Sequence, residues 1–266
     1  MECTLYHVEA QVAYITLNDP QRLNPLNEHM AGEISAHIAN ANHDPRVRLI
    51  VLQGAGRAFS AGGDIRFFHN CNQNVEYDHL DRMLRTVQEL ILAIRYSPKL
   101  VIAAVHGHAS GGGANVALAC DYRICDESAC FTQSFTKIGL APDAAGLYFL
   151  SRMISPSQAF AICTDARPIS AEDALALGVA NQVVSAGKLK ESVEQFCAQL
   201  LQAPLESYTL AKQMINEDMY GDLKDYLFNI ETPALQQSFR SADFAEGVRA
   251  FLEKRKPDFA AAHTPE

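Results

Sequence analysis

The chain lacks the features that define several large classes of protein. Its 22 basic side chains are outnumbered by 31 acidic ones, and the net charge of −9 argues against a nucleic-acid partner. No apolar run approaches the ~20 residues that a membrane-spanning helix needs. The first residues do not combine a basic segment with an apolar one, so we expect no signal peptide and a cytoplasmic protein without a membrane partner.

Pairs of closely spaced metal or redox ligands are also missing. The seven cysteines are scattered along the chain and form no Cys-X-X-Cys motif. An odd number of unpaired cysteines is typical of a cytosolic protein with reduced thiols. No spacing of His, Cys, Asp or Glu is typical of a metal site, so we expect no bound metal.

Motifs for nucleotide binding and for serine hydrolysis are incomplete. Residues 54–59 lack the third glycine of a dinucleotide-binding turn, and no GxxxxGK[ST] phosphate loop occurs. Ser110 lies in Gly-His-Ala-Ser-Gly, which is not the GxSxG turn of a nucleophilic serine. These gaps argue against a nucleotide-binding enzyme and against a serine hydrolase that uses Ser60 or Ser110.

What the chain does contain is two glycine-rich turns, each preceded by an apolar run. Residues 58–65 read Ala-Phe-Ser-Ala-Gly-Gly-Asp-Ile, and residues 106–115 read His-Gly-His-Ala-Ser-Gly-Gly-Gly-Ala-Asn. The runs 49–52 and 100–105 are typical of buried strands, and residues 116–119 continue the second turn as a helix. Backbone N–H groups at a junction of strand, glycines and helix can point at an anion.

The apolar periodicity predicts alternating strands and helices up to about residue 120, and mostly helix beyond Ala144. This alternation indicates an α/β architecture. Residues 70–77 are polar and irregular, so we predict a mobile loop there. The predicted strands are 12–17, 48–53, 100–105 and 179–184. The predicted helices are 28–41 with Asn27 as N-cap, 80–94, 171–177, 189–201, 205–218, 223–239 and 243–254.

The two turns, their separation and the following Cys120–Ile124 segment resemble the crotonase (enoyl-CoA hydratase/isomerase) superfamily. The resemblance extends from residues 23–26 to residues 246–256. It implies an α/β crotonase-like fold of repeated ββα turns with a helical C-terminal region. Residues 1–195 would form the core with the acyl-CoA site, and residues 196–266 would mediate oligomerisation and cover the site. The implied assembly is a homotrimer or a dimer of trimers.

The resemblance also implies an oxyanion hole for an acyl-CoA thioester. The backbone N–H groups of Gly63 and Gly112 would stabilise the enolate that forms when the α-carbon loses a proton. Ala61, within the first turn, would contact the substrate. Asp64 would tie the first turn by hydrogen bonds. Coenzyme A is part of the substrate in this family, so we expect no separate cofactor.

The acid/base residues depart from the hydratase pattern. Hydratases of the family carry two glutamates at the positions of Asn115 and Phe135 in this chain. Activating water for addition normally needs both a base and an acid, so the replacement of the two glutamates argues against a hydratase. We predict instead that Asn115 and Phe135 contact the substrate, and that Phe135 helps to exclude water from the pocket.

One carboxylate, Asp143, follows Pro142 as in isomerases of the family that carry Asp or Glu at this position. Moving a double bond needs a single base, whose pKa burial could raise. A dehalogenase would need a histidine near Gln88, which is absent. The alternative role for Asp143 is an N-cap of a helix that begins at Ala144.

Four basic residues are candidates for the phosphates of coenzyme A: Arg22, Arg66, Lys254 and Lys256. Ordinary solvated charge explains each of them equally well. The leading hypothesis is an isomerase that converts a 3-enoyl-CoA, or a related ring-derived thioester, into a 2-enoyl-CoA. An enoyl-CoA hydratase and a non-catalytic acyl-CoA-binding subunit stay open as alternatives.

Overall fold

A six-stranded sheet forms the centre of the computed structural model, which describes residues 2–263. Its strand order is β1-β2-β4-β6-β8-β11, with β1 and β2 antiparallel and the remaining pairs parallel. The strands are β1 (Thr4–Glu9), β2 (Val12–Leu17), β3 (Pro25–Leu26), β4 (Leu49–Gly54), β5 (Gly62–Gly63), β6 (Leu100–Val105), β7 (His108–Ser110), β8 (Tyr122–Asp126), β9 (Cys130–Thr132), β10 (Ile169–Ser170) and β11 (Gln182–Val184).

Helices surround the sheet and make up most of the chain after β9. They are α1 (Glu28–His43), α2 (Ile65–Asn74), α3 (Tyr77–Arg95), α4 (Gly112–Ala119), α5 (Gly146–Met153), α6 (Pro156–Asp165), α7 (Ala171–Ala176), α8 (Leu189–Leu201), α9 (Leu205–Met219), α10 (Leu223–Asp225), α11 (Thr232–Phe239) and α12 (Ala242–Leu252). A π-helical segment, Tyr226–Glu231, joins α10 to α11. Within the described residues, no helix has the length and apolarity that crossing a membrane requires.

The continuous apolar runs form strands that are covered on both faces. Every residue of β6 is buried. Val101, Ala103 and Val105 pack into the same cluster as α1 and α3, whereas Leu100, Ile102 and Ala104 pack with Val193, Cys197 and Leu200 of α8. Successive side chains of a strand point to opposite faces, so a strand buried on both sides must be apolar throughout.

The sheet topology brings the two glycine turns side by side. Ser60 donates its backbone N–H to the His108 carbonyl at 3.0 Å, and Ser110 donates to the Ser60 carbonyl at 3.0 Å. A Cβ on Gly113 would lie 2.5 Å from the Ser60 side chain, so the close approach of the turns requires glycine there. The α/β architecture predicted from the sequence is confirmed.

Two details of the sequence interpretation need correction. Residues 70–77 do not form a loop, because α2 covers most of them and buries Phe68 and Cys71 while its polar residues face outward. Residues 223–239 form α10, the π segment and α11 rather than one regular helix. The predicted boundary between residues 195 and 196 falls inside α8, which packs on β6 and β8. The division into a core and a C-terminal region that covers the site stays a prediction.

Candidate active site

One apolar cavity is lined by residues of the two glycine turns and by the carboxylate that follows them. Ala61, Gly63, Gly112, Phe135 and Asp143 all line it. The rest of the lining is largely aliphatic and aromatic: Leu26, Ile65, Phe68, Met83, Val87, Gly111, Ser134, Ile138 and Leu140. Residues separated by up to 117 positions in the sequence, Leu26 and Asp143, thus meet around one apolar space.

The second glycine turn supplies a backbone donor at the start of a helix. Gly112 is the first residue of α4, and the preceding Gly111 offers no side-chain cap. The first N–H groups of a helix have no acceptor within the helix, and the helix dipole favours negative charge at this end. The Gly112 N–H can therefore donate to an oxyanion in the cavity.

The first turn is held by Asp64, which confirms its expected structural role. Its Oδ1 accepts from the backbone N–H groups of Arg66 and Phe67 and so caps α2, while its Oδ2 lies 3.0 Å from Arg22. A Cβ on Gly63 would come within 2.6 Å of the Phe68 ring. Glycine at this position leaves room for the ring that closes one wall of the cavity.

Asp143 is a buried carboxyl group that faces the second turn. Its exposed fraction is 9%, and its Oδ1 has no hydrogen-bond partner among the described residues. A Cβ built on Gly112 would lie 3.8 Å from this Oδ1. Burial raises the pKa of the Asp143 carboxyl to about 7. A carboxyl group of this kind can both accept and return a proton near neutral pH.

The alternative role of Asp143 as a helix cap is wrong. Helix α5 begins at Gly146 after Ala145, and no side chain caps it. The Asp143 backbone carbonyl, not its carboxylate, accepts the Gly146 N–H at 3.0 Å. The side chain is thus free to face the cavity.

Asn115 lies behind Asp143 rather than on the cavity lining. It is fully buried, and its Nδ2 donates to the Asp143 backbone carbonyl at 2.7 Å. Gln133 Nε2 in turn donates to Asn115 Oδ1 at 2.7 Å. Both ends of the Asn115 amide thus have protein partners, and its Nδ2 holds the turn that carries Asp143. Contact between Asn115 and the substrate stays a prediction.

Sequence reasoning missed a second buried carboxyl group, Glu231. Its exposed fraction is 3%, and its Oε2 accepts the Ala145 N–H at 2.9 Å. Burial, followed by the nearby Asp143 carboxylate, raises the Glu231 pKa well above its ordinary value. The available signal was a glutamate at helical spacing between Leu227 and Leu235, both of which are buried.

The four basic candidates for coenzyme A lie outside the lining of the acyl cavity. Arg22 is paired with Asp19 and Asp64, and Arg66 is exposed on the first turn of α2. Lys254 and Lys256 are exposed just beyond α12. Their contact with a substrate stays a prediction.

Two groups of side chains contain potential metal ligands but contribute nothing to the cavity lining. They are Cys3, His29 and Glu33, and Cys71, Glu76 and His79. Burial raises the pKa of both thiols, which disfavours the thiolate that binds metal. We assign no metal site to either group.

Asp143 should contribute less to the stability of the fold at neutral pH than at acidic pH, because its carboxyl group is buried. Its pKa of about 7 in the folded protein lies above the ~3.9 of an exposed aspartate, so its stabilising contribution is complete below about pH 4 and is lost as pH rises through about 7. Asp143→Asn should therefore melt several degrees higher than the wild type at about pH 8. Melting curves should show this gap narrowing toward about pH 5, and a gap independent of pH would contradict the raised pKa.

Comparison with known proteins identifies the family. A sequence profile of the enoyl-CoA hydratase/isomerase family matches residues 7–262. The chain is 36% identical to the 1,2-epoxyphenylacetyl-CoA isomerase of Escherichia coli, with 97% of this chain and 98% of that protein covered. It is also 34% identical to the crotonyl-CoA hydratase of Syntrophomonas wolfei, with 94% and 95% covered.

A solved structure shows the same fold. The enoyl-CoA hydratase from Mycobacterium avium subsp. paratuberculosis superposes with a TM-score of 0.87 at 30% identity, covering 97% of this chain and 98% of that one. Together with the profile match, this similarity defines the class: the chain is a member of the enoyl-CoA hydratase/isomerase, or crotonase, superfamily. The family acts on acyl-CoA thioesters, and its members include both isomerases and hydratases.

Proposed function

We propose that the protein is an acyl-CoA isomerase that moves a double bond in a 3-enoyl-CoA, or in a related ring-derived thioester, to the 2-position. The observation that carries this proposal is Asp143, the one carboxylic side chain that lines the cavity among the described residues. The two positions at which hydratases carry glutamate hold Asn115 and Phe135, and neither can act as an acid or a base.

The reaction follows from the placement of one base beside two backbone donors. The Asp143 carboxylate removes a proton from C2, and the electron pair moves onto the thioester oxygen as an enolate. The N–H groups of Gly63 and Gly112 stabilise that charge. Asp143 then returns the proton to C4. The thioester carbonyl re-forms, and the double bond that lay between C3 and C4 now lies between C2 and C3. Protons and electrons balance without added water or a cofactor.

The cavity favours an apolar acyl group. Phe68, Met83, Phe135 and Leu140 provide aromatic and aliphatic walls, and an apolar lining also keeps Asp143 desolvated. The similarity to a 1,2-epoxyphenylacetyl-CoA isomerase supports testing ring-derived thioesters beside straight-chain ones. Coenzyme A would extend outward from the cavity toward Arg22 and Arg66, and Lys254 and Lys256 would meet its phosphates.

The proposed assembly is a homotrimer or a dimer of trimers. Helix α9 supports self-association because it exposes large apolar side chains, including Met214 with an exposed fraction of 71%. The others on this helix are Tyr208, Leu210, Ile215 and Met219. Light scattering coupled to gel filtration measures the number of subunits, and a monomer would contradict this assignment.

The fate of the C2 proton tests the single-base mechanism. A substrate deuterated at C2 should carry part of its label to C4, because the buried Asp143 returns the proton it has just removed. The rate should also rise with pH through about 7, since the base must be ionised and its pKa lies there. Complete exchange of the label with water at low conversion, or a flat pH profile, would contradict Asp143 as a secluded base.

A hydratase is the second candidate, because relatives of both kinds match the chain over nearly its full length. It would need a second group to activate water. The described lining offers Ser134 as a polar side chain, but no second carboxylate. Hydration of a 2-enoyl-CoA would distinguish this function from isomerisation.

A further inference from the structure

We propose that Glu231 is a positioning residue for Asp143, and that it acts as a neutral carboxylic acid. The inference rests on the proposed function of Asp143 as the base. Glu231 accepts the backbone N–H of Ala145, two residues after Asp143, and thereby holds the turn that points the base into the cavity.

The turn that carries Asp143 adopts an unfavourable backbone conformation. Ala144 and Ala145 have φ angles of 50° and 57°, in the left-handed region that residues with a side chain seldom adopt. Such conformations persist only when the surroundings enforce them. Two buried contacts do so here: Asn115 holds the Asp143 carbonyl, and Glu231 holds the Ala145 N–H.

A local distortion of the C-terminal helix places Glu231 against this turn. Glu231 is the last residue of the π-helical segment, and Pro233 follows it in the first turn of α11. Proline has no N–H to continue a regular helix, and wide π turns are frequent at functional sites. Gln88 secures the distortion, because its Nε2 donates to the Leu227 carbonyl and to Thr232 Oγ1 at 2.9 Å each.

The surroundings of Glu231 favour its neutral form. No basic side chain forms an ion pair with it among the described residues, and its Oε1 and the Oε1 of Gln88 are both buried without partners. The titratable groups that act on it electrostatically are Asp143 and, on its own segment, Tyr226. A second negative charge next to ionised Asp143 would be unfavourable, so a proton on Glu231 lets Asp143 ionise alone.

The test compares two substitutions at this position. Glu231→Ala removes the acceptor for the Ala145 N–H, and we expect kcat to fall about ten- to hundredfold with KM changed less than about threefold, since misplacing a base by ~1 Å costs this much. Glu231→Gln mimics a neutral carboxyl group and should recover most of the lost activity. In Glu231→Ala the pH midpoint of the rate should move down, because a looser turn exposes Asp143 to water.

Three results would overturn the proposal. Glu231→Gln as impaired as Glu231→Ala would mean that Glu231 exchanges protons itself. Full activity in Glu231→Ala would mean that it positions nothing. The third result would come from infrared difference spectra of the unliganded wild type and Glu231→Gln at about pH 8, a measurement that needs no turnover. We expect these spectra to contain the carbonyl band of a protonated Glu231. Its absence would exclude the neutral form even if the protein proved inactive on every 3-enoyl-CoA.

Discussion

Asp143→Asn should abolish isomerisation, with a loss of about 10²–10⁴-fold in kcat, the range that a positioned general base contributes. The variant keeps the shape of the side chain but cannot take the C2 proton. Binding of the thioester should change little, because the apolar lining and both glycine turns are intact. Steady-state kinetics on a 3-enoyl-CoA and calorimetric titration with a non-reactive acyl-CoA measure the two quantities separately.

A matched control distinguishes loss of the base from loss of any carboxylate. Glu172→Gln removes an exposed carboxylate in the first turn of α7, outside the cavity, and should leave kcat unchanged. Asp143→Glu retains a base and should keep part of the activity, limited by its longer reach. Wild-type rates in Asp143→Asn would remove Asp143 from the mechanism.

Gly112→Pro should lower kcat by about 10²–10³-fold, the cost of removing one oxyanion-hole donor. Proline lacks the N–H that we assign to the enolate oxygen, yet it is well tolerated as the first residue of a helix, which is where Gly112 lies in α4. The substitution thus removes the donor at a place where the helix can still begin. Rates and melting temperatures should be measured together.

Gly112→Ala is the matched control for this donor. Both substitutions add a Cβ, which would lie 3.2 Å from Leu26 Cδ2, at the end of a side chain that can move. Only the proline removes the N–H, so the ratio of the two rates isolates the hydrogen bond from the added bulk. Equal rates in the folded alanine and proline variants would show that the Gly112 N–H does not stabilise the transition state.

Much of the fold could be predicted because its local signals and its tertiary packing agree. The run at 100–105 is apolar throughout and forms a strand buried on both faces. Helix α1 begins after Asn27, whose side chain accepts the Met30 N–H as an N-cap does. Helix α2 was missed because only Phe68 and Cys71 along it are buried, too few apolar positions to stand out in a polar segment.

Only part of the candidate site could be predicted from the sequence. The glycine turns could be located because only glycine allows the backbone to approach so closely, and their motifs are contiguous in the sequence. The roles of Asn115 and Glu231 depend on contacts across 28 and 86 positions, with Asp143 and Ala145 respectively, which no local pattern encodes. Helical spacing could mark Glu231 as a carboxylate on an apolar face, but not which backbone group it holds.

The most direct test of the proposed isomerase is a comparison of two reactions of the purified protein. A 3-enoyl-CoA and a 2-enoyl-CoA of the same chain length are supplied separately, and the rates of isomerisation and of hydration are measured under the same conditions. Because Asp143 is the proposed base and no second carboxylate among the described lining residues can activate water, we expect isomerisation to be faster than hydration by orders of magnitude and to depend on Asp143. Rapid hydration of the 2-enoyl-CoA that is indifferent to Asp143→Asn would contradict the account.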